Sequence, residues 1–180
     1  MHGRTGNDET DYSWVDINNR RSFQRATEFL LDLGHRKIAL INGLEEMDFA
    51  HRRREGFEAA LVNRGLQADN TLMVSDEMSE DVGYRNAREM LVNGNPPTAF
   101  LVSSILTAIG VRRAVEGTGH QLGRDISIII HDDELSYLGN GRDIPIFSAT
   151  RSSVRYAGQL CAEMLLEIIA NPARPPTEIT

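Results

Sequence analysis

Four short tracts of the chain concentrate the side chains able to do chemistry: Asn42 to Phe49, Ser75 to Ser79, Ser103 with Ser104, and His131 to Glu134. Arg53 stands just behind the first of them. Together they offer hydroxyls, carboxylates and a guanidinium, groups that donate to and accept from a neutral ligand bearing several hydroxyls. Such a site discriminates strongly, because a buried polar atom left without a partner costs about 1–3 kcal/mol. Catalytic readings of the chain fail on spacing. Gly117-Thr118-Gly119-His120-Gln121-Leu122-Gly123 has the glycines of a dinucleotide loop, but its intervals are wrong and it precedes a strand instead of linking strand to helix. His131, Asp132 and Asp133 are consecutive on a strand, so their side chains alternate between faces and converge poorly on one metal ion. There is no Gly-x-Ser-x-Gly elbow, and Cys161 lies in an apolar helical pattern where packing is its expected role. No enzyme activity, metal or cofactor is expected.

The elements that must position these tracts alternate. Short apolar runs at Trp14–Ile17, Lys37–Ile41, Thr71–Val74, Ala99–Val102, Ile126–Ile130 and Ile146–Ala149 read as strands. Between them lie amphipathic stretches. Phe23, Ala26, Phe29, Leu30 and Leu33 recur at helical spacing after a cap at Asn18 or Asn19 and stop at Gly34, and Phe57, Ala60 and Leu61 share a face of a helix ended by Gly65. Further helices are expected over Glu80–Val92, Leu106–Glu116 and about Ser153 to Ala170, the last halted by Pro172, Pro175 and Pro176. This is the pattern of an α/β fold with a doubly wound parallel sheet. Ligands of such sheets bind beyond the carboxyl ends of the strands, which is where the four polar tracts fall.

At 180 residues, with 41% hydrophobic and 25% charged residues, the chain has the balance of an ordinary globular protein. Its apolar runs are far shorter than the roughly 20 residues of a membrane helix. A net charge of −7 argues against a nucleic-acid surface, and Arg52-Arg53-Arg54 is the densest basic spot. Met1 to Gly6 lacks the apolar region of a secretory signal and Cys161 is the single cysteine, so a cytoplasmic protein is expected.

Several motifs then occur in a telling order. Val15-Asp16-Ile17-Asn18-Asn19 leads through Ala26, Phe29 and Leu30 to Leu33-Gly34-His35-Arg36-Lys37-Ile38-Ala39. Arg53-Arg54-Glu55-Gly56-Phe57, Pro96-Pro97-Thr98-Ala99-Phe100 and Ala108-Ile109-Gly110 follow, and then Arg124-Asp125-Ile126-Ser127-Ile128 with His131-Asp132-Asp133. In this order, over residues 15–160, they resemble the sensor domain of LacI/GalR-type transcriptional repressors. Thr150-Arg151-Ser152-Ser153-Val154-Arg155, with Ser103-Ser104 and His131-Asp132-Asp133, further resembles the α-glucoside-responsive branch of that family. The resemblance implies a type I periplasmic-binding-protein-like fold, mainly its C-terminal subdomain. Residues 1–17 would be a remnant of the N-terminal subdomain and crossover, residues 18–180 the effector-binding subdomain, and the DNA-binding headpiece would be absent.

The resemblance also assigns roles. Arg53 takes the place of the arginine that reaches the effector, a planar fork suited to two sugar oxygens; the alternative is a solvated arginine in a basic run. Asp132 matches the first of the family's paired aspartates, which accepts from sugar hydroxyls, and Asp133 is read as structural. Ser104 stands where many members carry asparagine, Met78 where several place an aromatic ring, and Ser152 where a polar residue often faces the effector. Met78 could equally fill core, and Ser152 could cap the last helix. Phe49 is the aromatic expected nearest the ligand, and Trp14 is either a cleft wall or core.

The implied partners are a sugar effector and, only through the missing headpiece, operator DNA. A homodimer is expected through the Leu106–Glu116 helix and the region of Tyr137. The competing readings are a periplasmic-type transport protein, which would need a secretory signal, and a doubly wound enzyme, which would need a nucleophile and base or a cofactor loop.

Overall fold

The computed structural model describes residues 11–134, 139–141 and 143–180. Five parallel strands form the main sheet in the order β3-β2-β4-β5-β6: β2 (Ile38–Asn42), β3 (Met73–Ser75), β4 (Ala99–Val102), β5 (Ser127–Asp132) and β6 (Ser148–Arg151). Helices α1 (Asn19–Asp32) and α2 (Asp48–Asn63) cover one face, and α3 (Glu80–Val92) and α4 (Ile105–Gly117) cover the other. Strand residues feed the two layers alternately. Ile38, Leu40, Ala99, Leu101 and Ile129 pack under α1 and α2, whereas Ala39, Ile41, Phe100, Val102, Ile128 and Ile130 pack under α3 and α4. That two-sided burial explains why these strands are continuous apolar runs instead of alternating ones. This is the doubly wound parallel sheet expected from the sequence.

Local chemistry sets the helix ends. Asn18 accepts the Arg21 N–H at 3.0 Å and Ser79 accepts that of Val82 at 3.3 Å, each capping a helix. Gly34 and Gly65 adopt φ of +96° and +70°, the left-handed backbone that closes α1 and α2. The glycines of two motifs have a packing reason. A Cβ on Gly56 would stand 2.0 Å from the Arg20 carbonyl oxygen, and one on Gly110 would stand 1.9 Å from that of Glu80. Each lets two helix backbones meet at a distance no other residue permits.

Three strands depart from the sequence expectation, and β3 is the first: it begins at Met73, not Thr71, because Asn70–Leu72 form a 3-10 turn in which Asp69 accepts the Thr71 N–H. The last strand of the main sheet begins at Ser148, not Ile146. Asn140 explains the shift: its side chain donates to the Phe147 carbonyl at 2.8 Å and accepts the Phe147 N–H at 2.9 Å, while its own carbonyl accepts the Ile146 N–H. Those groups are thereby withdrawn from the ladder. At the start of the chain only β1 (Trp14–Val15) forms within the expected Trp14–Ile17 run, and its partner is an unforeseen parallel strand, β7 (Glu178–Ile179).

This pair and α5 (Val154–Ala170) make a third, smaller cluster, in which Val15, Ala157 and Met164 are joined by Leu160, Cys161 and Ile179. Leu165, Leu166 and Ile169 of α5 remain more than half exposed. Among the described residues no helix is long and apolar enough to cross a membrane. The Leu106–Glu116 stretch expected at a dimer interface lies within α4, and Tyr137 lies outside the described residues.

Candidate functional site

The strand order reverses between β2 and β4: from β2 the chain steps outward to β3 and returns past β2 to β4. The crevice of such a sheet opens there, beyond the carboxyl ends of the two strands. Asn42 ends β2 and Ser103 follows β4, and the Ser103 hydroxyl donates to Asn42 Oδ1 at 2.6 Å. The amide of Asn42 donates in turn to the Ala50 carbonyl at 2.7 Å, tying the start of α2 to the sheet.

Arg53 sits above this pair. On its helix it is the inward member of the basic run, for Arg52 pairs with Asp48 at 2.8 Å and Arg54 with Glu45 and Glu58 on the surface. Arg53 itself is only 6% exposed. Its Nε donates to Asn19 Oδ1 at 2.9 Å and its Nη1 to the Ser103 carbonyl at 3.1 Å. Asn19 is fixed in that orientation because its amide nitrogen donates to the Ile17 carbonyl at 3.1 Å. The guanidinium carbon lies 5.0 Å from the Phe23 ring centre and 4.8 Å from that of Phe49, so aromatic faces hold the planar cation. Burial lowers its pKa to about 10, with the charges of Asp133 and Asp16 acting in the opposite direction. Arg53 stays charged at neutral pH, and the solvated-arginine alternative does not describe it.

The structure brings some of the sequence candidates together and separates others. Phe49 and Met78 meet over Gly43, where an added Cβ would stand 3.2 Å from the Phe49 ring and 3.5 Å from Met78 Cγ. Met78 is 38% exposed and is not core filling. Ser104 is engaged at the start of α4, accepting the Thr107 N–H at 3.2 Å and bonding the Thr107 hydroxyl at 2.9 Å. Asp132 is buried at the end of β5, where Oδ1 accepts the Glu134 N–H at 3.0 Å and Oδ2 lies 3.8 Å from Arg151 Nε. Ser152 does not cap α5; Ser153 does, accepting the Tyr156 N–H at 3.2 Å. The Ser152 hydroxyl instead lies 3.2 Å from His131 Nε2.

His131 and Asn19 are participants to which the sequence assigned other places, His131 in a strand-end tract and a rejected metal reading, and Asn19 as a candidate helix cap. His131 is 4% exposed, and its ring centre lies 6.3 Å from that of Phe23. Desolvation, helped by the positive charge of Arg53, lowers its pKa to about 3, so it is neutral at physiological pH. A signal existed for it, as the residue before Asp132 on a strand must face the helix layer that carries Arg53. Open hollows also lie away from Arg53. One of about 510 Å³ runs along the β6 flank between Arg25, Phe29 and Arg151. Among the described residues no three metal-ligating side chains cluster.

Residues 27–180 match the family model described as a periplasmic binding protein-like domain. The chain belongs to that family. The relatives of this periplasmic binding protein-like domain are LacI-type transcriptional regulators. It is 40% identical over 178 residues to the HTH-type transcriptional regulator AglR of Rhizobium meliloti (strain 1021), covering 99% of this chain and 50% of the relative. Among solved structures, the transcriptional regulator CelR-cellobiose complex superposes with a TM-score of 0.88 at 27% identity, covering 99% of this chain and 54% of that one. A regulatory protein of the LacI family from Chloroflexus aggregans has the same TM-score and identity, covering 99% and 63%. The chain spans about half the length of the curated relatives it matches.

Proposed function

We propose that this domain is the larger part of one half of a sensor cleft in a LacI-type transcriptional regulator, that it binds a sugar beyond the carboxyl ends of β2, β4 and β5, and that it catalyses no reaction. The observation that carries this reading is the presentation of Arg53. A buried guanidinium, oriented by Asn19 and the Ser103 carbonyl and flanked by Phe23 and Phe49, is a pre-organised fork for hydroxyl oxygens. Among the described residues two of its five N–H groups have protein acceptors, which leaves donors for a ligand.

The relatives support a sugar ligand, since one was solved as a cellobiose complex and another, from Enterococcus faecium, with bound ribose. An α-glucoside is the finer choice, resting on the Thr150 to Arg155 tract and the likeness to AglR. Asp132, Ser152, Phe49 and Met78 are the further contacts we assign to the effector, and Ser104 acts at the rim through its cap. Where the resemblance implied residues 18–180 for this half, we place its end near Ser152, with β1, α5 and β7, which share a separate cluster, belonging to the other half, whose remainder would cover the exposed face of α5. DNA contact falls to a part outside this chain, the protein acts in the cytoplasm, and α4 contributes to a homodimer. Effector binding then changes operator affinity through a coupling of about 1–3 kcal/mol.

The test is thermal unfolding of the protein with both halves of the cleft, in methyl α-glucoside, maltose, cellobiose and ribose. One sugar at a hundredfold excess over its Kd stabilises by about 2.7 kcal/mol. That gain is expected to vanish in Asp132→Ala, which leaves the contacts of Arg53 intact, and in Phe49→Ala, which removes one of the two rings that hold it. No gain with any sugar, or a gain that survives both substitutions, removes the ligand class and the site.

A further inference from the structure

His131 is bonded at both ring nitrogens: Nδ1 lies 3.2 Å from the Thr150 hydroxyl and Nε2 lies 3.2 Å from that of Ser152. A neutral imidazole has one N–H and one lone pair, so it gives a hydrogen to one of these hydroxyls and takes one from the other. A third contact decides the direction. Thr150 Oγ1 also lies 3.4 Å from the Ile130 carbonyl oxygen, an atom that can only accept. When Thr150 donates there, its oxygen accepts from Nδ1–H, Nε2 keeps its lone pair, and the Ser152 hydroxyl donates to it; all three contacts are hydrogen bonds. In the opposite tautomer Thr150 must turn its single hydrogen to Nδ1. The Ile130 contact is then lost, and the Ser152 hydrogen is left without its imidazole acceptor. Burial beside Arg53 disfavours the doubly protonated ring, which would erase the distinction.

We propose that the relay from Ser152 through His131 and Thr150 to the Ile130 carbonyl runs in this one direction, so that Ser152 meets a ligand as a hydrogen-bond acceptor only and selects a ligand hydroxyl or N–H at that point. His131 is thus a positioning residue that sets specificity through Ser152. Arg53 is a donor with no acceptor capacity, and Ser152 is its opposite, so a sugar is read between two poles of fixed sign. The ligand part of this inference rests on the sugar reading above, while the direction of the relay does not.

The first measurement is the two-bond 15N–1H correlation spectrum of the His131 ring in the 180-residue chain at pH 7. The hydrogen is expected on Nδ1. In Ser152→Ala it stays on Nδ1 while the Nε2 resonance moves, because that lone pair loses its donor. In Thr150→Val, which removes the acceptor, the Nε2–H form gains population. A hydrogen on Nε2 in the unmodified chain, or an Nε2 resonance indifferent to Ser152→Ala, overturns the relay.

The second measurement compares monodeoxyfluoro derivatives of methyl α-glucoside on the protein with both halves of the cleft, since fluorine can accept but not donate. One derivative is expected to bind about tenfold more weakly than its parent, a loss absent in Ser152→Ala. Equal losses for every derivative in both proteins overturn the selecting role. If methyl α-glucoside itself fails to bind, the sugar reading falls for that ligand, and the tautomer still decides the relay.

Discussion

Two histidines bracket strand β5 at its opposite ends, and each bonds two hydroxyls with its two ring nitrogens. At the amino end His35 Nδ1 lies 2.9 Å from the Thr98 hydroxyl and Nε2 lies 3.0 Å from that of Ser127, which clasps the start of β4 to the start of β5. At the carboxyl end His131 spans Thr150 and Ser152. Desolvation lowers both pKa values, but only His131 is deeply buried and only His131 feels Arg53. The hydrogen-bonding pattern is nearly the same, and the surroundings differ. Around His35 every partner is an ordinary structural group, whereas His131 adjoins a buried cation, the Phe23 ring and the hydroxyls of Thr150 and Ser152. Such imidazole bridges are therefore not in themselves a mark of function; a charge held out of water beside one is.

The largest test of this contrast uses pH. Above pH 6.5 His131 is neutral in folded and unfolded chains alike. As the pH falls through 6.5 the unfolded ring gains a proton that the folded ring refuses until about pH 3, so stability is lost across that interval. Between pH 6.5 and 4.5 the contribution of His131 amounts to about 2–3 kcal/mol. Urea unfolding of His131→Phe should lose that much of the pH slope, whereas His35→Phe should lose far less. Equal slopes for the two variants would erase the difference between the ends.

Of intermediate size is the clasp itself. His35→Ala removes two hydrogen bonds from a half-buried site and is expected to cost about 1–2 kcal/mol of unfolding free energy, with the response to sugar unchanged. A change in sugar affinity would mean that the amino end communicates with the crevice. Smallest is Ser127→Ala, which removes one of those bonds for about 0.5–1 kcal/mol; a loss as great as that of His35→Ala would show that the Thr98 bond contributes nothing.

What could be read from the sequence followed how local its cause was. The helices were legible because caps such as Asn18 and Ser79, and stops such as Gly34 and Gly65, act within a few residues of the ends they define. The motif around Arg53 was legible but the burial of its guanidinium was not, and Gly56 has a reason in the contact of α2 with the Arg20 carbonyl. β7 was not legible, because two residues beyond a run of prolines become a strand only when Trp14 and Val15, at the far end of the chain, pair with them. The register of β6 was missed because one side chain, Asn140, satisfies the backbone that would otherwise have extended the strand. Asn19 reads from sequence as a helix cap, and Asn18 does that work; its bond to Arg53 depends on how α1 lies against α2.

The pairing of β1 with β7 also fixes how the protein can deform. The chain leaves the two-stranded ribbon through Asp16 to Asn18 and crosses back to it at Ser152 and Ser153. Both crossings touch the Arg53 network: the Ile17 carbonyl holds Asn19, the partner of Arg53, and Ser152 holds His131. A swing of the ribbon against the main sheet is therefore geared directly to the two bonds that orient the guanidinium and the imidazole. The fulcrum of such a swing would be the wall we propose for the ligand, so recognition and leverage would share the same atoms.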